Sequence, residues 1–325
     1  MPAHPSTVLA DASVKEAAAR FAIAGAAALG ALKLATGILM NSIGLISAAV
    51  DSLMDVLISA VNLYSIRLAA EPADAGHPYG HGKIENLAGL LQGIVIGVTG
   101  LWVVVEAIRR LIRGVEIHRI DWGIVVIVIS LVGSWVIARR LARVGQATDS
   151  MVLMADSLHY ATDTWTNLGV LAALVLMRIT EWAGFDPLVA LGVGGVILVA
   201  AARLFSRSVQ DLMDTALPAE IQERVETIIR RHPYAISFHD LRTRRAGSQK
   251  LIDFSLVMCR NLPLGEAHEL VDHIEKEIEA AIPHADVVIH TEPCHTPCPP
   301  DPAHCALLLR GAELLQQSHH SGPPA

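Results

Sequence analysis

Charged residues are scarce in this 325-residue chain: Asp, Glu, Lys and Arg make up 18% of it, whereas hydrophobic residues make up 52%. Most of the charges lie between a few long apolar blocks. A soluble globular protein rarely has so apolar a composition, and a run of about 20 apolar residues is long enough to span a bilayer. The composition therefore predicts an integral membrane protein, in contact with a lipid bilayer, that carries a smaller soluble part.

Aromatic residues and positive charge are also in short supply. Aromatics make up 4% of the chain, and the formal net charge is −7. Proteins that bind nucleic acid use basic patches and aromatic stacking surfaces, so the composition argues against a nucleic-acid partner. The four cysteines lie in the last third of the chain, without the crowded spacing of a disulfide-stabilised extracellular module. We therefore expect reduced thiols on the cytoplasmic side.

Six apolar blocks contain most of the hydrophobic residues. They predict an all-α domain of six membrane spans over residues 17–207, after a cytoplasmic N-terminal tail at residues 1–16. An even number of spans places both termini on one side of the membrane. With the termini inside, the cytoplasmic loops hold more Lys and Arg than the outer loops, which favours that orientation. We expect a multi-pass protein of the inner (plasma) membrane with both termini in the cytoplasm.

The character of the chain changes near residue 208, where charges become dense. The patterns predict, in order, a helix, two strands, a helix and a strand at residues 219–231, 239–244, 251–258, 264–281 and 286–291. This order predicts a small two-layer α+β domain over residues 208–293. Residues 294–325 are rich in Pro, His and Cys. We expect them to form a flexible tail, in which Cys294, Cys298 and Cys305 offer soft metal ligands.

Acidic and imidazole side chains interrupt two of the apolar blocks. The second block carries Asp51 and Asp55, and the fifth carries His159 and Asp163. Residues four apart lie on one face of a helix, so two facing helices would offer four ligands to a divalent metal. Two alternatives remain, namely polar contacts between helices and a proton relay without metal. Asp156, three residues before His159, is interpreted as a hydrated group near the helix end, with a place in a cytoplasmic entry path as the alternative.

Metal ions and protons would compete for the same ligand atoms, because carboxylate and imidazole bind metal only when deprotonated. A proton gradient can then release the metal on one side of the membrane and reset the site, which favours proton-coupled antiport by alternating access. One imidazole with three carboxylates favours Zn²⁺ or Cd²⁺, with Fe²⁺ and Co²⁺ as alternatives. The sequence therefore predicts a proton-coupled antiporter of a divalent metal.

The loop between the second and third blocks forms a second cluster. Residues 71–83 contain prolines and glycines that prevent a regular helix. Asp74, His77 and His81 lie within this loop and offer three ligands, with a fourth position open for water. The alternative is a solvated polar loop.

These residues together resemble a known family. The run HPYGHGKIE at residues 77–85 and the pairs Asp51-x-x-x-Asp55 and His159-x-x-x-Asp163 look like the cation diffusion facilitators, in particular their bacterial zinc and iron efflux branch. The resemblance extends from about residue 15 to residue 294. It implies a homodimeric, proton-coupled exporter that is not an enzyme. It also implies that the cytoplasmic domain is metallochaperone-like, with a ferredoxin-like fold.

The resemblance also implies metal ligands outside the membrane. It places one binding site on the three loop residues and another in the C-terminal domain, at a dimer interface where Zn²⁺ would be a structural or regulatory ion. The candidate ligands in that domain are His239, His268, His290, Glu292 and Asp253. Ser255 stands where some close relatives have a histidine, so we expect a reduced or single-metal site. The alternative is that these are ordinary surface histidines.

Two further functions compete with transport. A membrane-bound metal sensor would bind the ion without moving it, and a membrane metallohydrolase would use a zinc-bound water as its nucleophile. The chain contains neither an HExxH motif nor a nucleophile elbow, which disfavours the hydrolase. A manganese branch of the family has aspartate at the position of His159, so the imidazole here argues against Mn²⁺ as the substrate.

Overall fold

The computed structural model describes residues 5–39, 43–113, 123–180, 182, 184–232 and 234–295. They form two compact units, Ser6–Met213 and the part that begins at Asp214. The helices of the first unit are α1 (Pro5–Leu39), α2 (Ile43–Ala69), α3 (Lys83–Arg113), α4 (Gly123–Ala147), α5 (Met151–Thr180) and α6 (Phe185–Leu212). The elements of the second are α7 (Ala219–Arg230), β1 (Ser237–Ala246), β2 (Gln249–Met258), α8 (Leu264–Ala281) and β3 (Ala285–Pro293).

The first unit is a transmembrane domain. Within the described residues, five helices are long and apolar enough to cross a membrane, namely α1, α2, α3, α4 and α6. Helix α5 has 30 residues, which is ample length. Its first half carries Asp156, His159 and Asp163, which make it more polar than its neighbours. The predicted set of six long helices is present, and the fifth differs from the others in composition.

Helix α5 lies between two apolar clusters. One cluster joins α5 to α1, α2 and α4 and includes Leu141 and Val152. The other joins α5 to α3 and α6 and includes Ile96 and Ala155. Neighbouring helices therefore cover much of the first half of α5, and its polar residues need not face lipid, where an unsatisfied polar group is costly.

Glycines allow α3 to pack closely against α6. A Cβ atom added at Gly93 would lie 3.3 Å from the backbone nitrogen of Phe205, and one added at Gly100 would lie 2.8 Å from Cγ2 of Ile197. Small residues at a helix interface let two backbones approach each other in a membrane. The α3–α6 contact therefore depends on the absence of side chains at these positions.

Two boundaries of the first unit differ from the sequence prediction. Helix α1 begins at Pro5, so most of the segment predicted as an N-terminal tail is helical. Lys15 lies in this extension, and its Nζ is 2.8 Å from Oε1 of Glu85 on α3, with both side chains buried. This ion pair lets a charged residue enter the packed region. Helix α6 ends at Leu212, beyond the predicted boundary at residue 207.

The second unit has the predicted α-β-β-α-β order, so the predicted small α+β domain is confirmed. Its sheet has the order β1-β2-β3, with β1 antiparallel and β3 parallel to β2. A turn containing Gly247, with φ 64°, joins β1 to β2, and α8 provides the crossover that a parallel pair requires. The core between sheet and helices includes Val225, Ile252 and Ile274. Each strand is slightly longer than predicted.

The predicted tail at residues 294–325 begins in ordered structure. Cys294 is buried, and its backbone N–H donates to the carbonyl oxygen of Met258 at 2.9 Å. This bond extends the contact between β2 and β3 by one residue. The prediction for residues 296–325, which include Cys298 and Cys305, lies outside the described residues.

Candidate metal centres

The transmembrane unit brings imidazole and carboxylate groups of α2 and α5 together. Asp55 on α2 and His159 and Asp163 on α5 each offer one ligand atom, and these atoms lie within 4.8 Å of one another. Nε2 of His159 is 2.9 Å from Oδ1 of Asp55, and both side chains are largely covered by neighbouring residues. Such a group of donors, removed from bulk water, can hold a divalent cation or protons.

Asp51, the fourth predicted ligand, lies one helical turn before Asp55 on α2 and is exposed. It is not part of the three-residue group. The structure therefore assembles three of the four side chains that the sequence predicts for this centre. Asp51 lies next to the cluster, on the same helix face as Asp55.

The loop between α2 and α3 brings together the three residues predicted there. The ligand atoms of Asp74, His77 and His81 lie within 4.8 Å of one another, and the two imidazole rings are 4.4 Å apart, centre to centre. Oδ1 of Asp74 accepts hydrogen bonds from the backbone N–H groups of His77 and Gly76. These bonds, led by that from His77, hold the pKa of Asp74 below its usual value.

The interior of the same loop contains an unsatisfied nitrogen. Nδ1 of His81 is buried and has no hydrogen-bond partner among the described residues, whereas Nε2 of the same ring is 3.5 Å from Oδ2 of Asp74. A buried polar atom without a partner is uncommon. A cation bound by this loop would be coordinated by the ligand atoms of Asp74, His77 and His81 that lie close together.

The second unit gathers part of its predicted set at the end of the sheet. Nε2 of His239 on β1 lies 3.3 Å from Oε2 of Glu292 on β3, and Nε2 of His290 lies 3.9 Å from Oε1 of the same carboxylate. Nδ1 of His239 is 3.2 Å from Oδ2 of Asp240. The contact with Asp240, followed by that with Glu292, raises the pKa of His239 above its usual value.

His268 and Asp253 are not brought to this cluster. His268 is exposed on α8, and Asp253 is exposed on β2, opposite Arg242 of β1. Among the described residues, the groups of three or more ligand-type side chains within 4.8 Å contain neither residue, and they do not contain His239, His290 and Glu292 either. Ser255 lies between the two histidines, because it pairs with His239 on one side and with His290 on the other.

Sequence profiles of two protein domains match the chain. The profile of the cation efflux transmembrane domain matches residues 19–213. The chain belongs to the cation efflux family. The profile of the cytoplasmic domain of cation efflux proteins matches residues 217–294, so the match covers both units. This cation efflux protein is a membrane transporter of cations rather than an enzyme.

Similar proteins include the cation-efflux pumps FieF of two bacteria. The pump of Klebsiella pneumoniae is 38% identical over 279 residues, which is 85% of this chain and 92% of the pump. That of Yersinia pestis is 37% identical over 281 residues, which is 83% of this chain and 92% of the pump. A solved structure of the zinc transporter CzrB in its Zn form is 39% identical, with a TM-score of 0.24, over 25% of this chain and 92% of that chain.

The sequence interpretation of Asp156 in this cation efflux protein is wrong. Asp156 is 0% exposed and is therefore not a hydrated group at a helix end. Its carboxylate accepts hydrogen bonds from Ser59 at 3.4 Å and from Gln92 at 3.4 Å. Gln92 in turn accepts one from Asn62, and Ser59 also contacts the hydroxyl of Tyr160. Sequence reasoning missed this network because its members come from three helices.

A second residue that sequence reasoning missed is Lys33 of α1. Its Nζ donates a hydrogen bond to Oγ of Ser52 at 2.8 Å, next to Asp51 in sequence. Because Ser52 lies three residues before Asp55 on α2, this hydrogen bond holds the Lys33 side chain near the intramembrane cluster. The signal in the sequence was a lysine within an apolar block.

Proposed function

We propose that this protein exports Zn²⁺ and Cd²⁺, with Fe²⁺ and Co²⁺ as further substrates, from the cytoplasm in exchange for protons. The observation that carries the proposal is the cluster of Asp55, His159 and Asp163 between two helices of a cation efflux protein. An ion bound there lies within the transmembrane unit, removed from bulk water. Alternating access would connect this site first to one face of the membrane and then to the other.

The choice of ion follows from the donor atoms. One imidazole nitrogen and two carboxylates provide three ligands, and Asp51 would supply the fourth. Mixed nitrogen and oxygen ligands in tetrahedral arrangement favour Zn²⁺ and related borderline ions over Mg²⁺ or Ca²⁺. The outward direction is supported by the names of the two bacterial relatives, which are efflux pumps.

The proton is the proposed counter-ion because it competes for the same atoms. A carboxylate or imidazole that binds metal must lose its proton, and one that regains a proton releases the metal. Close contact between His159 and Asp55, at 2.9 Å, is favourable when a proton is shared between them. The site can thus be occupied either by a metal ion or by a proton.

The remaining proposals concern assembly and orientation. We propose that the protein is a homodimer joined through its cytoplasmic unit. It would lie in the inner membrane, with both termini in the cytoplasm. The cluster of His239, His290 and Glu292 would bind a regulatory Zn²⁺ in that unit. The loop cluster of Asp74, His77 and His81 would capture cytoplasmic metal at the membrane surface.

Transport is tested in proteoliposomes that contain a zinc-sensitive dye. We expect Zn²⁺ flux that requires a pH gradient and reverses direction when the gradient is reversed. Asp163→Ala removes one ligand and should lower the flux to the level of empty liposomes. Glu71→Gln, an exposed carboxylate just beyond the end of α2, is the matched control and should transport as the wild type does.

The result also separates transport from the sensor function. Zn²⁺ binding by the wild type without flux in any gradient would contradict the transport proposal and favour a membrane-bound sensor. Flux that is independent of the pH gradient would contradict the proposed proton coupling alone. The same assay with Cd²⁺, Fe²⁺ and Co²⁺ ranks the substrates.

A further inference from the structure

We propose that the second unit has an additional transition-metal site, formed by His232 at the end of α7 and by His273 and Glu277 of α8. One ligand atom of each residue lies within 4.8 Å of the other two. None of the three belongs to the predicted sites. His232 lies two residues beyond the end of α7, and His273 and Glu277 lie on α8, whereas His239, His290 and Glu292 lie on strands of the sheet.

The orientation of His232 suits a metal ligand. Its Nδ1 is 3.0 Å from the carbonyl oxygen of Ile228, and because a carbonyl can only accept, Nδ1 carries the proton and donates. This leaves Nε2 as the ligand atom. Metal-binding histidines commonly donate their other ring N–H to a backbone carbonyl, which fixes both the tautomer and the ring orientation. Ile228 is buried in the core of the unit, so the acceptor is itself held in place.

The groups that face Nε2 of His232 are a carboxylate and a second imidazole. Oε2 of Glu277 is 3.3 Å from this nitrogen. The ring centres of His232 and His273 are 5.3 Å apart, and the two ring planes form an angle of 73°. This contact requires positive charge between the two atoms, either that of a proton on Nε2, which would then donate to the carboxylate, or that of a metal ion bound to both. A metal ion supplies that positive charge and gains three ligands.

Helix α8 holds the other two ligands at a defined spacing. His273 and Glu277 are four residues apart and therefore lie on the same face of the helix. The residues that follow each of them, Ile274 and Ile278, are fully buried in the core. These anchors fix the rotation of α8, so that the pair faces the end of α7. The site is thus built from two helices that are already packed together.

Two imidazoles and one carboxylate favour Zn²⁺ or Co²⁺ and leave a position for water. An ion bound here would link the end of α7 to α8. Because it would bind the folded unit and not the separated helices, it should stabilise this unit by an amount that grows with the logarithm of the free metal concentration above the Kd. We therefore infer a structural and regulatory ion, distinct from the transported one.

The test measures bound Zn²⁺ per chain in the full-length protein, purified in detergent and equilibrated by dialysis against buffered Zn²⁺. We expect His273→Gln and Glu277→Gln each to lower the stoichiometry by about one ion per chain. Glu269→Gln, another exposed carboxylate of α8, is the matched control and should leave the stoichiometry unchanged. Because His273 is exposed, its replacement should not impair folding, which an unchanged elution profile on size exclusion would verify.

A second measurement identifies the ligands directly. With Co²⁺ as the probe, the visible absorption of the wild type should exceed that of His273→Gln, because a nitrogen ligand is lost. Equal Zn²⁺ stoichiometry and equal Co²⁺ spectra in wild type and variant would overturn the proposal and leave only an ion pair between His232 and Glu277. The proposal does not depend on transport, because a protein without flux would still show the difference in stoichiometry.

Discussion

At the scale of single residues, one imidazole distinguishes the intramembrane cluster from a purely acidic site. His159 contributes nitrogen, whereas Asp55 and Asp163 contribute oxygen. Imidazole binds Zn²⁺ and related ions, whereas carboxylates alone suit harder ions such as Mn²⁺. Selectivity among divalent ions is therefore expected to depend on His159.

Replacing His159 with aspartate should shift substrate preference toward Mn²⁺. The change exchanges the nitrogen ligand for oxygen and makes the cluster fully acidic. We expect the ratio of Zn²⁺ to Mn²⁺ flux in proteoliposomes to fall by about ten-fold or more, which corresponds to about 1.4 kcal/mol of differential binding. An unchanged ratio, with measurable flux of both ions, would show that His159 does not set selectivity.

Replacing Ser255 with histidine should strengthen metal binding at the sheet cluster. Ser255 pairs with both His239 and His290, and directly opposed residues project to the same face of a sheet. A third imidazole at this point should tighten Zn²⁺ binding by about ten-fold, or about 1.4 kcal/mol. Competition with a zinc chelator measures the affinity, and Ser255→Asn, a polar side chain without an imidazole, serves as the control. Equal tightening by asparagine would contradict the assignment of the added ligand.

At the scale of the elements, the transmembrane unit rests on close packing of α3 and α6. Where backbones approach closely, the absence of a side chain is itself the structural requirement. Gly93 meets the backbone of α6 at Phe205, whereas Gly100 meets the side chain of Ile197. A side chain can change rotamer, but a helix backbone can only move away as a whole. Substitution at Gly93 should therefore be the more damaging of the two.

Replacing Gly93 with valine should force α3 and α6 apart. The new Cβ alone would lie 3.3 Å from the backbone nitrogen of Phe205, and the two γ carbons need further space. We expect a loss of about 1–3 kcal/mol of stability, typical of overpacking, measured by thermal unfolding in detergent. Gly195→Val is the matched control, since a Cβ there meets nothing within 4 Å. Equal losses in the two variants would attribute the effect to helix propensity instead of packing.

At the scale of the whole molecule, the sequence predicts both units and the three residues that the structure brings together in the intramembrane cluster. Apolar blocks and charge density divide the chain, and the spacing of Asp55, His159 and Asp163 places carboxylates and imidazole on two helix faces. These signals depend on residues close together in the chain and can therefore be recognised in the sequence alone. The group of His232, His273 and Glu277 was missed because it depends on how α7 packs against α8. The exposed position of Asp51 and the burial of Asp156 depend in the same way on tertiary packing.

Helix α5 belongs to both apolar clusters of the transmembrane unit, with Val152 in one and Ala155 in the other. It cannot tilt or slide without separating side chains in at least one of them. Separating packed side chains forfeits their van der Waals contacts and raises the free energy of any intermediate arrangement, so the two clusters set an activation barrier that the bound ion does not control. Turnover should then depend steeply on temperature and on lipid order, and the slow step of the cycle would be the repacking of α5 rather than the binding or release of metal.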